Sequence, residues 1–188
     1  MKHFLLKVLL LYLFIAPAAA AQTSLQFSLV DGKTNKTILQ LNPSQKSLAA
    51  DDISVEQSYS PAKGSKPESY EFAIKNNSSS DRWLYLNWQV AWDKTTALNN
   101  LYYWGGRDDV ITGQELLQNP SVDEAMTTTM LQTIYDNQNG IALAVPPMQI
   151  VSALKQSLNT ENQKYFLHLQ IPLVLSAGQS DTFPIEIY

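Results

Sequence analysis

Polar and apolar residues alternate along most of this chain with the period of two that marks half-buried strands. Residues 24–30 read Ser-Leu-Gln-Phe-Ser-Leu-Val. After Asp31-Gly32, a two-residue hairpin signal, residues 36–41 resume the alternation through Ile38, Leu39 and Leu41. Asn42-Pro43-Ser44 closes that hairpin, Ile53-Ser54-Val55 begins another short strand, and residues 58–69, with Pro61, Gly64 and Pro67, read as a loop. Residues 70–74 alternate again. A polar turn over residues 76–81 leads into residues 83–92, one long strand rich in the aromatic and branched residues that strands favour. Its apolar face is expected to carry Leu84, Leu86, Trp88, Val90 and Trp92, and the opposite face Trp83, Tyr85, Asn87 and Gln89.

The second half is less regular. Residues 99–109 hold a run of aromatic, glycine and charged residues, and residues 112–126 read as loop with one helical turn. Strand character returns at residues 130–135, followed by the turn Asp136–Gly140 and an unbroken apolar run over residues 141–145 that suits a buried strand and stops at Pro146-Pro147. Residues 149–157 fit strand or helix equally. Residues 165–171 alternate, Gly178 turns the chain, and residues 182–188 end on Phe183, Ile185 and Ile187. Eight or more short strands with little helix predict an all-β fold, an antiparallel β-sandwich, in one domain over residues 22–188.

The first residues break this pattern. Lys2, His3 and Lys7 precede an uncharged, apolar stretch that ends in Pro17 and the four alanines Ala18 to Ala21. A charged start, a short apolar middle and an A-x-A end make a cleavable secretory signal peptide over residues 1–21, cut after Ala20 or Ala21. The stretch is shorter than the ~20 residues of a spanning helix, and no later segment is long and apolar enough to span. Export to the periplasm or the medium is therefore expected. Without Lys2 and Lys7, eleven basic residues face seventeen acidic ones, a net charge of −6. That balance argues against nucleic acid and anionic lipid as partners, since both require clustered Lys and Arg. The chain has no cysteine, which excludes disulfides, thiol chemistry and lipidation at a cleavage-site cysteine.

Few residues carry candidate chemistry. His168 is the one histidine after the leader and sits in a Leu-His-Leu strand beside Phe166 and Gln170, so a structural role is expected and a zinc site is not. No G-x-S-x-G or phosphate-cradling motif occurs, and no cofactor or metal is expected. Paired carboxylates of the glycosidase kind could come from Asp108, Asp109, Glu115, Asp123 or Glu124, but all fall in segments read as solvated loops. No catalytic residue is assigned. One cluster stands apart: Tyr102, Tyr103, Trp104, Gly105, Gly106, Arg107, Asp108 and Asp109. Flat aromatics stack on sugar faces while Arg and Asp hydrogen-bond hydroxyls, so Tyr102, Tyr103, Trp104, Arg107, Asp108 and Asp109 are the candidate ligand-binding residues. The simpler expectation for the same residues is that the aromatics fold back over the sandwich edge and Arg107 pairs with an aspartate.

The order of these features, with the Tyr70–Ile74 strand, an Asn-rich turn, Arg82 and the Trp83–Val90 strand, a Tyr-Trp-Gly-Gly loop, Gly140-Ile141-Ala142-Leu143-Ala144-Val145-Pro146-Pro147, then Gly178, Phe183 and Ile187-Tyr188, resembles the N-terminal supersandwich-type β domain of bacterial glycoside-hydrolase-like proteins. The resemblance implies a β-supersandwich in a polysaccharide-related setting and carries over no catalytic residue. It also implies that a catalytic barrel would begin where this chain stops, leaving a standalone relative or a truncated gene as equal expectations. The functional expectation is an exported, non-catalytic domain that binds carbohydrate or a glycan-processing protein. The alternative is a structural or protein-interaction module, or a remnant of a larger glycoside hydrolase, with no ligand of its own.

Overall fold

The alternation resolves into two antiparallel sheets packed as a sandwich, so the expected fold class is the observed one. The computed structural model describes residues 25–92, 100–105, 109–118, 122–126, 131–146, 155–161 and 164–188; residues 1–21, the segment expected to be a signal peptide, lie outside them. The strands are β1 (Leu25–Asp31), β2 (Thr37–Leu41), β3 (Ser47–Ala50), β4 (Ile53–Ser60), β5 (Glu68–Asn76), β6 (Arg82–Trp92), β7 (Tyr102–Trp104), β8 (Ile111–Thr112), β9 (Val122–Met126), β10 (Leu131–Tyr135), β11 (Gly140–Ala144), β12 (Lys155–Glu161), β13 (Lys164–Leu175) and β14 (Ser180–Ile187), with one short helix, α1 (Gly113–Gln118). One sheet has six strands in the order β2-β1-β6-β13-β12-β9, and the other eight in the order β3-β4-β5-β14-β11-β10-β7-β8.

Alternation sends every second residue into the space between the sheets. From the six-stranded sheet come Leu25, Phe27 and Leu29, then Leu84, Leu86, Trp88, Val90 and Trp92, then Leu167, Leu169 and Ile171. Facing them are Val55, Tyr70, Phe72, Ile74, Ile134, Leu143, Phe183 and Ile185. An aromatic seam joins the layers: Phe27 stacks on Phe72 at 4.5 Å, and Trp88 meets Phe72 at 5.9 Å and Phe183 at 6.5 Å. Each such pair adds about 0.5–1.5 kcal/mol beyond the area it buries.

Five strands, β3, β7, β8, β9 and β12, fall where the pattern reading gives no strand or leaves strand and helix open. β3 pairs with β4 through a turn in which Asp51 and Asp52 both take positive φ, 50° and 61°. That is the backbone of a two-residue hairpin, written with aspartates instead of the usual Asn-Gly. β9 and β12 lie in segments whose polar sequences hide the alternation; β9 forms one edge of the six-stranded sheet and β12 lies between β9 and β13. The β1–β2 connection also differs from expectation. Asn35, not Gly32, takes the left-handed conformation, at φ 56°, and the turn runs through residue 36. Asp31 builds it, its Oδ1 accepting from the N–H of Lys33 at 3.0 Å, the N–H of Thr34 at 2.8 Å and the Thr34 hydroxyl at 2.9 Å.

Two prolines sit inside strands. Pro172 of β13 faces Tyr85 of β6, beyond Lys155, where the described part of β12 begins opposite Gln170. Pro184 of β14 faces Glu71 of β5, before the pairing with β11 starts at Glu186. Each occupies a stretch with one described neighbour, the place where a missing N–H costs a sheet least.

Candidate carbohydrate-binding face

On the outer face of the six-stranded sheet, register brings polar side chains from consecutive strands into rows. Gln26 of β1 stands opposite Gln89 of β6, which stands opposite His168 of β13, which stands opposite Ser157 of β12. One pleat along, Gln40, Ser28, Asn87 and Gln170 form a second row. Gln26, Ser28, Thr37, Gln40, Asn87, Gln89 and His168, together with Phe27, line a depression of about 300 Å³. Two hydrogen bonds tie the rows down: Gln170 Nε2 donates to Asn87 Oδ1 at 2.8 Å, and Ser157 Oγ lies 3.2 Å from His168 Nδ1.

None of these lining side chains is a carboxylate, ammonium or guanidinium. Amides, hydroxyls and an imidazole each offer both donor and acceptor capacity, so the surface suits a ligand whose groups do the same and rewards no net charge. The outer face of the other sheet differs. A depression of about 340 Å³ there is lined by Lys46, Glu56 and Glu71 together with Ser47, Gln57 and Ser58.

A second pair of rows continues the face along β1, β6 and β13 toward the start of β6. Val30, Tyr85 and Pro172 lie in one row, and Trp83 stands opposite Val174 in the next. Trp83 is 42% exposed and its ring centroid is 5.6 Å from that of Tyr85. The indole lies on Gly32: a Cβ there would stand 2.6 Å from Trp83 Cδ2 and 2.7 Å from Cγ. The Gly32 N–H donates to the Trp83 carbonyl at 2.8 Å. Gly32 is thus required for close approach, not for turn conformation.

The end of the face is fixed from behind by Asn76, fully buried in the turn between β5 and β6. Its Nδ2 lies 2.8 Å from the Ser80 carbonyl and 3.1 Å from the carbonyls of Leu175 and Ser176, and its Oδ1 accepts from the Ser78 N–H and hydroxyl. The neighbouring ion pair Arg82–Asp31, at 3.6 Å, joins β6 to the β1–β2 turn. Arg82 also donates to the Asp51 carbonyl at 2.9 Å. Asp31 titrates below its ordinary value because it accepts from the Thr34 N–H and hydroxyl and from Lys33, with Arg82 adding to the effect.

Of the candidate residues named from sequence, Tyr102, Tyr103 and Trp104 lie on the other sheet, in β7. Tyr103 points inward and is 2% exposed, its hydroxyl donating to Gln132 Oε1 at 3.4 Å. Gln132, itself buried, donates across the sandwich to the His168 carbonyl at 2.9 Å. Gly105 lets the chain pass the Tyr103 hydroxyl, which occupies the space a Cβ would need. Tyr102 and Trp104, one residue to either side, are half-buried on the outer side of β7, where Tyr102 stacks on Tyr135 at 5.4 Å. Asp109 is exposed, and Arg107 and Asp108 lie outside the described residues. Of the carboxylates considered as a hydrolytic pair, Glu115 caps α1: its Oε2 accepts from the Thr112 N–H at 2.7 Å and hydroxyl at 2.8 Å, which holds its pKa below the ordinary value. Among the described residues no group of three or more His, Cys, Asp or Glu gathers to hold a metal ion, and no helix is long and apolar enough to cross a membrane.

The sequence did carry a signal for the outer face of β6. Trp83, Tyr85, Asn87 and Gln89 recur at every second position, which places them on one side of a strand. The cross-strand partners that complete the rows come from residues more than fifty positions away and are invisible to periodicity.

No family model matches the chain, and no curated protein matches it. Among solved structures it is similar to the Slr1438 protein of Synechocystis sp. PCC 6803, with 12% identity and a TM-score of 0.49 over 72% of this chain and 54% of that one. It is also similar to a polysaccharide lyase, with 14% identity and a TM-score of 0.42 over 88% of this chain and 25% of the lyase. The chain therefore spans about half the length of the first and a quarter of the second, and likenesses at this level carry no activity across.

Proposed function

We propose that this is an exported, non-catalytic domain that binds a neutral carbohydrate on the outer face of its six-stranded sheet. The observation that carries the reading is the lining of the depression around Asn87, Gln89 and His168: seven polar side chains from four strands, none of them a carboxylate, ammonium or guanidinium. Sugar hydroxyls donate and accept at once, as amides and hydroxyls do, and a chain with net charge −4 has no long-range attraction for polyanions. Export follows from the leader over residues 1–21, with cleavage after Ala20 or Ala21 as part of the proposal.

Isothermal titration of the protein against a panel of neutral and acidic glycans tests it. Binding of a neutral glycan that Gln89→Ala weakens about tenfold or more, as expected for loss of a hydrogen-bonding group that the glycan covers, supports the reading. Silence across the panel overturns it. Binding that Gln89→Ala leaves intact and Trp104→Ala removes would move the site to the aromatic edge strand β7.

A further inference from the structure

We infer that the ligand of this face is an extended neutral oligosaccharide lying along β6, with its apolar sugar face stacked on Trp83 at one end and its hydroxyls held by Gln89 and His168 at the other. The inference rests on the carbohydrate reading and adds to it a second subsite and a minimum ligand length. Trp83, Tyr85, Asn87 and Gln89 follow one another on a single face of one strand. Six residues separate the ends, a span of about 20 Å at the strand rise of ~3.3 Å per residue. A single sugar ring occupying the depression cannot touch Trp83; a chain of several rings can.

Trp83 is built as a platform. Exposed tryptophans are ordinarily free to swing, but this one rests on a glycine whose Cβ would overlap the indole, with Tyr85 beside it and Val174, 63% exposed, across the strand pair. A flat ring already held in place loses little freedom when a ligand stacks on it, so the contact contributes more of its gross energy to binding. No charged side chain separates this platform from the depression along β6: the intervening outward positions are Tyr85 and Asn87. Aromatic, aromatic, amide, amide is a gradient from stacking to hydrogen bonding. A linear neutral glycan presents those two chemistries along its length, in its CH faces and its hydroxyls.

Oligomers from dimer to hexamer of cello-, laminari-, xylo- and manno-oligosaccharides, titrated calorimetrically into the protein and into Trp83→Ala, Trp83→Phe and Gln89→Ala, decide the matter. The expected result is affinity that rises about tenfold between dimer and hexamer of the recognised series. Trp83→Ala should remove that rise and leave the dimer unaffected, and Trp83→Phe should restore most of it. Gln89→Ala should weaken dimer and hexamer alike. If dimer and hexamer bind equally and Trp83→Ala changes neither, while Gln89→Ala still weakens both, the extended-chain inference falls and the carbohydrate reading stands. If no oligomer binds the unaltered protein, both fall. Circular dichroism of each variant confirms the fold, and Trp83, lying outside the core, leaves that fold intact.

Discussion

Two aromatic groups on opposite sheets show how strand geometry decides what a sequence can present. Tyr102, Tyr103 and Trp104 are contiguous in sequence, and for that reason β7 divides them: Tyr103 enters the core while Tyr102 and Trp104 lie on the outer side. Trp83 and Tyr85 are separated by Leu84, and for that reason β6 keeps them together, facing solvent, while Leu84 is buried. A run of aromatics is a conspicuous sequence feature, but in a strand it splits between two environments. The spaced pair is the one that makes a surface.

The comparison can be broken most directly by stability. Tyr103→Ala is expected to cost about 3–5 kcal/mol, the range for deleting a large buried aromatic, and Trp83→Ala only about 1 kcal/mol, for the loss of its packing on Gly32 and Tyr85. Urea unfolding of both variants measures the difference. Equal losses would mean that Trp83 is a core residue in function and that the platform argument is mistaken. Next in size is Asn76→Ala. It leaves the carbonyls of Ser80, Leu175 and Ser176 without their side-chain donor in a buried turn, and is expected to cost about 1–3 kcal/mol. Because Leu175 pairs with Arg82, the lesion should also loosen the start of β6, raising hydrogen exchange at Trp83 and Val174 before it is seen at Gln89.

Much of this was legible in the residues. The inward set of β6, Leu84 through Trp92, follows from alternation alone, because a strand between two neighbours in a sandwich has one buried face and one solvated face. The turns at Asp51-Asp52 and Asn35 were not legible, since Asp and Asn tolerate left-handed backbone without announcing it as glycine does. The β9 strand was hidden, and β12 left open between strand and helix, because both owe their structure to the neighbours they pair with more than to their own pattern. The polar rows were legible only in part. Asn87 and Gln89 share a face by spacing, but their apposition to Gln170 and His168 is set by long-range register.

Gly32 sharpens the contrast between the aromatic groups at smaller energies. Gly32→Ala places a methyl group inside the Trp83 indole. In a closed core that would cost about 1–3 kcal/mol, but an exposed ring can swing away, so the expected loss is at the low end, about 1 kcal/mol. The lesion should appear instead in the near-ultraviolet circular dichroism of the Trp83–Tyr85 pair, and in the oligosaccharide length dependence, which should shrink as it does in Trp83→Ala. Normal spectra with an unchanged length dependence would show that the glycine does not hold the platform.

The smallest effect concerns the turn beneath that platform, and its sign follows from Asp31. The hydrogen bonds from Thr34 and Lys33, with Arg82 alongside, favour the carboxylate in the folded state and lower its pKa below the ordinary 3.8. A carboxyl group whose pKa is depressed by folding contributes stability that is fully present above the unfolded value and is lost as pH falls through the folded one. Asp31→Asn keeps the shape and removes the charge, so the variant should be less stable than the parent by a constant margin between neutrality and about pH 5, with the two converging as pH drops below 3.8. Urea midpoints measured across that range give the curve. Added salt should narrow the margin only slightly, because the accepted N–H and hydroxyl bonds outweigh the Arg82 pair at 3.6 Å. A margin that vanished in salt would mean that the ion pair rather than the turn's hydrogen bonds sets the charge state under Trp83, and one that widened toward acid would mean that folding raises the Asp31 pKa instead of lowering it.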